Sequence, residues 1–413
     1  MTDATRDTLL TPWHTAHNAH MAPFGGYRMP LWYKTGPIQE HRAVITGAGL
    51  FDTSHMAELL VEGPNALDLL QRVLTKDLHR CLAGHPLEPG RATYGFLLDE
   101  RGHVIDDAIV MMEERERLLL VVNAGMGPRV AAHLLRHGED LDVTVSDLTD
   151  RLSKLDLQGP ASVKILQKIL KPTSKIKGAF PYFSFVGHYD QLQRGVASTL
   201  GFPLLVSRTG YTGEMGFEIF VRPCDFVRLW EQILAAVAEH GLIPCGLGAR
   251  DSLRTGAMLP LSHQDIGDWP CVNHPWSFAL PLRGKGFSKS FVGDDALLAA
   301  RGTAAHTFAF LGESGRKVDA GADVLLDGAP IGTVLTCATD MAMDFHGGKL
   351  LSMSSPEAPA DFAPKGLACG FVKVDRPLEP GGVLTLQDKR RDIRVRLVSD
   401  LRPHRTARSP WPL

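Results

Sequence analysis

The stretch from 91 to 123, RATYGFLLDERGHVIDDAIVMMEERERLLLVVN, constrains the fold more than any other. Two apolar runs, 94–98 and 104–112, flank the polar turn Asp99-Glu100-Arg101-Gly102. A third run, 118–122, follows the charged turn 113–117. Strand-length apolar runs parted by such turns predict antiparallel pairing, with Gly102 able to take the positive φ a hairpin turn often needs. Asp106 and Asp107 interrupt the middle run. Successive strand residues point to opposite faces, so the two carboxylates diverge. One reaches solvent; the other faces the interior, where an unpaired carboxylate is costly. Such an acid marks either a site or a purely structural hydrogen bond, and this stretch alone leaves both open.

The rest of the chain narrows the choice. Its 413 residues suffice for two or three domains. The content of 44% hydrophobic and 22% charged residues is that of an ordinary globular protein. A net charge of −2 argues against nucleic acid as a partner. No apolar run approaches the roughly 18–20 residues of a membrane span. The start, MTDATRDTLLTPWH, has neither a basic region nor an apolar core, so the expectation is a cytoplasmic protein, neither exported nor anchored. Cys81, Cys224, Cys245, Cys271, Cys337 and Cys369 are widely spaced with no C-x-x-C pair, which fits reduced structural thiols. His14, His17 and His20 recur every three residues, but a polar helical stripe explains them better than a metal, and no metal site is expected.

Along the chain, 7–22 carries a helical pattern, 25–33 is extended and aromatic, and 40–46 is a short helix stopped at Gly47. Residues 49–56 begin a strand, and 64–74 form an amphipathic helix with Asn65 placed to cap it. After the central hairpin come a helix (127–137), a strand (143–148), a second strand (154–158) and a helix (161–170), an α+β layering with antiparallel pairing. Residues 171–202 read as an irregular insertion. Strands then flank a loop holding Gly210, Gly213 and Gly216, followed by an amphipathic helix over 225–240. A strand rather than a helix follows the glycines, so phosphate binding is a weak reading there. A glycine turn leads into a helix carrying Arg250 near its start, where a cation needs an anionic ligand or an internal salt bridge. From about 305, short apolar runs alternate with Gly, Pro and Asp turns, predicting an all-β barrel or sandwich.

Four stretches, in order, resemble the glycine-cleavage T-protein family of tetrahydrofolate-dependent aminomethyltransferases: 50–56 (LFDTSHM), 102–107 (GHVIDD), 207–218 (SRTGYTGEMGFE) and 244–253 (PCGLGARDSL). The resemblance implies an α+β fold, with two intertwined folate-binding subdomains around a central funnel over 1–300 and a C-terminal β-barrel over 305–413. It implies Asp107 as the catalytic residue near N5 of tetrahydrofolate, and Glu218 on the N–H edge of the pterin, which a carboxylate matches. Arg250 would meet folate or substrate. Tyr94, Met56, Val121 and Asn123 would line the pocket, with an aromatic from 180–183 packed on the ring. The activity implied is one-carbon transfer from a small or lipoyl-carrier donor to N5.

One place departs from the family pattern L-E-A-G-M-P-L-Y-G: here 255–263 reads TGAMLPLSH, with Gly256 for the glutamate and Ser262 for the tyrosine. The folate half reads as retained and the donor half as altered. Ser262, His263, Asp265, Trp269, His274 and Trp276 become candidate donor contacts. The alternatives are a demethylase of a methylated S-, O- or N-compound giving methyl-tetrahydrofolate, and a non-enzymatic folate-binding protein. A flavin-linked oxidase is disfavoured, since no strand leads into a G-x-G-x-x-G stretch.

Overall fold

The computed structural model describes residues 5–174, 176, 180–236 and 241–411. Two sheets face each other. The first has five strands in the order Arg91–Leu98, Val104–Glu114, Arg117–Val122, Ala57–Glu62, Thr144–Asp147. The second has six: Phe185–Gly187, Leu205–Ser207, Gly216–Val221, Ser153–Gln158, Ala48–Asp52, Leu242–Cys245. Pairing is antiparallel except where Leu242–Cys245 runs parallel to Ala48–Asp52.

Strict alternation builds the layers. In Arg117–Val122, Leu118, Leu120 and Val122 pack under the helices Ala66–Val73 and Gly127–His137. Leu119 and Val121 point the other way, onto Leu205 and Phe220 of the second sheet. In Ser153–Gln158, Leu155 and Leu157 meet the helices Ser162–Ile169 and Pro223–Ala235. That leaves Lys154, Asp156 and Gln158 on the face turned toward the first sheet. Helices thus cover the outer faces, and the inner faces hold both an apolar core and buried charge.

A closed six-stranded barrel follows, ordered His306–Gly312, Leu367–Val374, Ala329–Asp340, Asp323–Leu326, Val383–Gln387, Asp392–Val398. The short runs seen in the sequence are its strands; the hairpin Met343–His346 with Lys349–Ser352 lies outside the barrel. After Val398 the chain returns to the loop 210–216. There Arg402 ion-pairs with Asp340 and Glu214, Thr406 bonds Glu214, and Trp411 packs on Phe180 and Phe217.

Several local expectations need correction. The N-terminal helix spans only Thr11–Ala16, because the chain turns at Asn18 (φ 57°) into the strand His20–Phe24. Its histidines share no face: His14 is buried against Asp52 and Tyr33, while His17 stacks on Trp13 and His20 on Trp32. The strand expected over 49–56 stops at Asp52, and a turn carries the chain into the next sheet. Asn65 makes no capping bond; its side chain serves Asp68 and the backbone of Asp142. The supposed insertion supplies the edge strand Phe185–Gly187. The helix expected over 225–240 spans Pro223–Ala235, and residues 237–240 lie outside the described ones.

Candidate active site

A cavity of about 1390 Å³ is lined by both facing sheets and by the helix Leu247–Gly256. On the five-stranded side Tyr94, Ile109 and Val121 stand opposite one another on successive strands and form a wall with Met56. Asp107 lies on the same wall, one inward position along from Ile109. Asp106 points to the other face and is completely buried.

Asn123, one residue past its strand, holds both acids. Its backbone N–H donates to Asp106 Oδ2 (2.9 Å), and its amide nitrogen donates to Asp106 Oδ1 (2.7 Å) and Asp107 Oδ1 (2.5 Å). The Tyr94 hydroxyl donates to Asp107 Oδ2 (2.7 Å). No cation pairs with either acid among the described residues. Burial, and then the charge of Asp106, push the Asp107 carboxyl up to about 7, against the two hydrogen bonds. Burial also raises Asp106.

The six-stranded sheet presents its acids differently. Glu218 stands opposite Asp156 in the register. The buried Lys154 ammonium bridges them, donating to Asp156 (2.8 Å) and to Glu218. Arg250 donates to the free oxygen of Asp156 (2.7 Å), and Thr209 donates to Glu218. Two carboxylates and two cations alternate, so the charge closes on itself. Burial alone would raise Asp156, but Lys154 and Arg250 outweigh it and hold the carboxyl down at about 2. Arg250 therefore has its internal salt bridge and still lines the cavity, 4.9 Å from the Tyr211 ring centre. Lys154 and Asp156 escaped the sequence reading, although their alternation with Leu155 and Leu157 is the signal that exposes them.

Met56, Tyr94, Asp107, Val121, Asn123, Glu218 and Arg250 all line this one cavity. Of the aromatic stretch, Tyr182 and Phe183 are on the wall, while Phe180 is core beside Phe217. Phe183 holds a left-handed backbone (φ 58°), a strained conformation of the kind that gathers at ligand sites. His55 and Tyr211 are on the wall and went unnamed as site residues in the sequence reading. The glycine loop has a packing reason: a Cβ at Gly210 or Gly216 would sit 2.2 or 2.4 Å from the buried Gln158 amide oxygen.

The donor-side candidates fare differently, for none of Ser262, His263, Trp269, His274 and Trp276 is on the cavity wall. His263 is exposed, with φ 61°. Trp269 lies under Lys373, its ring centre 4.1 Å from Nζ. His274 packs on Phe96 and accepts from the Trp276 backbone N–H (3.0 Å). Trp276 is core: its ring packs on Phe371, and its indole N–H donates to the Met258 carbonyl (2.8 Å). Asp265 is spent on Arg254 and Thr336. The Ser262 hydroxyl is buried behind the wall. Met258, Leu259, Pro260, Leu261 and Gln264 form the wall instead. Gly256 answers to the barrel, since a Cβ there would lie 1.8 Å from Asp340 Oδ2, inside the ion pair with Arg402.

Residues 10–269, more than half of the chain, match the family model described as the GCVT N-terminal domain. The chain belongs to the GCVT family. Among curated GCVT relatives, the aminomethyltransferase of Geobacillus thermodenitrificans is 41% identical over 259 residues, 63% of this chain and 66% of the relative. That of Symbiobacterium thermophilum is 40% identical over 305 residues, 72% of this chain and 75% of the relative. The solved glycine cleavage system aminomethyltransferase T of Bartonella henselae superposes with a TM-score of 0.77 at 26% identity, covering 99% of this chain and 100% of that one. The GCVT match takes in both sheets, and the structural match extends through the barrel. No group of three or more His, Cys, Asp or Glu among the described residues is arranged to hold a metal ion, and no described helix is long and apolar enough to cross a membrane.

Proposed function

We propose that this protein is a tetrahydrofolate-dependent aminomethyltransferase, moving a one-carbon unit from a lipoyl-carrier-bound aminomethyl donor to N5 of tetrahydrofolate. The observation that carries the reading is one cavity faced by two unlike acids: an uncompensated Asp107 near neutrality and a charge-compensated Glu218. The donor set fits a reduced pterin. Glu218 keeps lone pairs for the ring's N–H edge, and Met56, Val121, Tyr182 and Phe183 offer apolar faces to a flat ring. Tetrahydrofolate supplies, when bound, a secondary amine as the acceptor.

The residues then divide the work. Glu218 binds and orients the ring, and Lys154 fixes Glu218 so that it does not swing toward bulk water. Asp107 holds or takes a proton at Oδ1 or Oδ2 and stabilises positive charge as it develops nearby. Tyr94 and Asn123 fix the Asp107 carboxylate in place. Of the departures that favoured the demethylase alternative, Gly256 answers to the barrel and Ser262 stands behind the cavity wall beside Asp106, so neither touches the cavity directly.

A mass-spectrometric folate assay tests the proposal. The protein is incubated with tetrahydrofolate and, separately, an aminomethyl-lipoyl carrier, dimethylsulfoniopropionate, methylated glycines or methoxylated aromatics. The expected result is methylene-tetrahydrofolate with ammonia from the lipoyl donor alone. Methyl-tetrahydrofolate from a small methylated donor would overturn it in favour of the demethylase.

A further inference from the structure

His55 sits on the turn that carries the chain from the six-stranded sheet (Ala48–Asp52) to the five-stranded one (Ala57–Glu62), where the two meet on the cavity wall. It is 1% exposed and framed edge-on by Phe24 (5.7 Å) and Tyr27 (6.4 Å). Four of the polar side chains around Asp107 and Glu218 are already engaged. Tyr94 and Asn123 serve the acid pair, the Tyr211 hydroxyl donates to the Pro260 carbonyl, and Arg250 serves Asp156. Asp52, three residues before His55, is saturated by Thr8, His14 and Ser54, and no hydrogen bond joins His55 to Glu58, three residues after it. His55 has no such partner, and its Nδ1 is sealed in the interior without one.

Burial holds the imidazole down at about 4, so at neutral pH it is uncharged and carries one N–H. A donor sealed away from any acceptor is costly, which places the proton on Nε2 rather than Nδ1. The ring thus offers a single hydrogen-bond donor on a cavity wall that also carries Glu218, an acceptor. A carboxylate alone recognises only the N–H side of a heteroaromatic ring.

We propose that His55 is a ligand-binding residue that donates from Nε2–H to a carbonyl oxygen or imine nitrogen of the bound pterin. This rests on the tetrahydrofolate reading. With Glu218 it forms a donor–acceptor pair that fixes the ring's rotation in the cavity.

The test measures tetrahydrofolate affinity of the full chain by calorimetry for wild type, His55→Phe and His55→Asn, with thermal melts as folding controls. Phe keeps the packing on Phe24 and Tyr27 but removes the donor; Asn keeps a donor. The expected result is about a tenfold loss of affinity in His55→Phe, partly recovered in His55→Asn, and a raised KM with little change in kcat. Wild-type affinity in a folded His55→Phe would overturn the proposal. Absence of binding by wild type would instead overturn the folate reading beneath it. Should the Phe variant not fold, a ¹⁵N-histidine spectrum of wild type decides. The imidazole signal missing in His55→Asn must move when tetrahydrofolate is added; an unmoved signal overturns the proposal.

Discussion

Two pairs of acids, each with one member on the cavity wall and one buried behind it, stand in opposite electrostatic states. Asp106 and Asp107 are held by hydrogen bonds from Asn123 and Tyr94 with no cation beside them among the described residues, and burial drives both carboxyls up. Asp156 and Glu218 share Lys154, Arg250 and Thr209, and Asp156 is held down at about 2. Depth does not separate them, since Asp106 and Asp156 are equally inaccessible. The difference is the presence of cations. A compensated acid is a fixed acceptor suited to binding, whereas an uncompensated one retains a proton near neutrality and is suited to chemistry.

The comparison is broken most severely at Asp107, the acid proposed to react. Asp107→Asn is expected to lower turnover roughly 10²–10⁴-fold, the usual span for a group that handles a proton or developing charge, with tetrahydrofolate affinity nearly unchanged. Steady-state kinetics beside calorimetry checks this. On the compensated side, Lys154→Met leaves two buried carboxylates facing each other. It is expected to destabilise the fold by about 3–5 kcal/mol in denaturant titration. A loss below about 1 kcal/mol would mean that Lys154 is not what holds that pair.

Subtler changes sharpen the contrast. Asp106→Asn removes the like charge beside Asp107, so the acidic limb of the kcat–pH profile is expected to move down by roughly one unit. An unmoved limb would show that burial alone sets that carboxyl. Glu58 gives the smallest effect. Both its oxygens are buried without partners, and burial holds its carboxyl well above the usual range. Folded, it keeps a proton that the unfolded chain releases above a pH of about 4.3, so its stability contribution is lost as pH rises. The melting temperature of Glu58→Gln should therefore gain on wild type between pH 5 and pH 8, by a few degrees. Parallel melting curves would refute this.

Much of this was legible in the chain. The hairpin, its opposed acids and the barrel strands follow from period-two patterning and turn residues, because those signals are local. The cavity residues Met56, Tyr94, Asp107, Val121, Asn123, Glu218 and Arg250 came from motif resemblance, and they converge in space. What failed was decided by distant contacts. Trp276 reads as a ligand contact until Phe371 packs against it from the barrel. Gly210 and Gly216 owe their lack of a side chain to the buried Gln158 amide packed against both, which the sequence does not report. Gly256 reads as a lost donor residue until Asp340 and Arg402 are seen to need its space. The neutralisation of Glu218 by Lys154 depends on register between strands more than fifty residues apart, which no local pattern reports.

The most direct test is a titration of the buried carboxyl groups themselves, by ¹³C NMR of aspartate-labelled protein between pH 3 and pH 9, with Asp107→Asn and Asp156→Asn assigning the signals. The predicted result is one aspartate titrating near neutrality that vanishes in Asp107→Asn, while the Asp156 signal stays ionised across the whole range. If every aspartate is fully ionised by pH 5, Asp107 is no different in kind from Asp156, and the division of the cavity into a reactive and a binding acid is wrong.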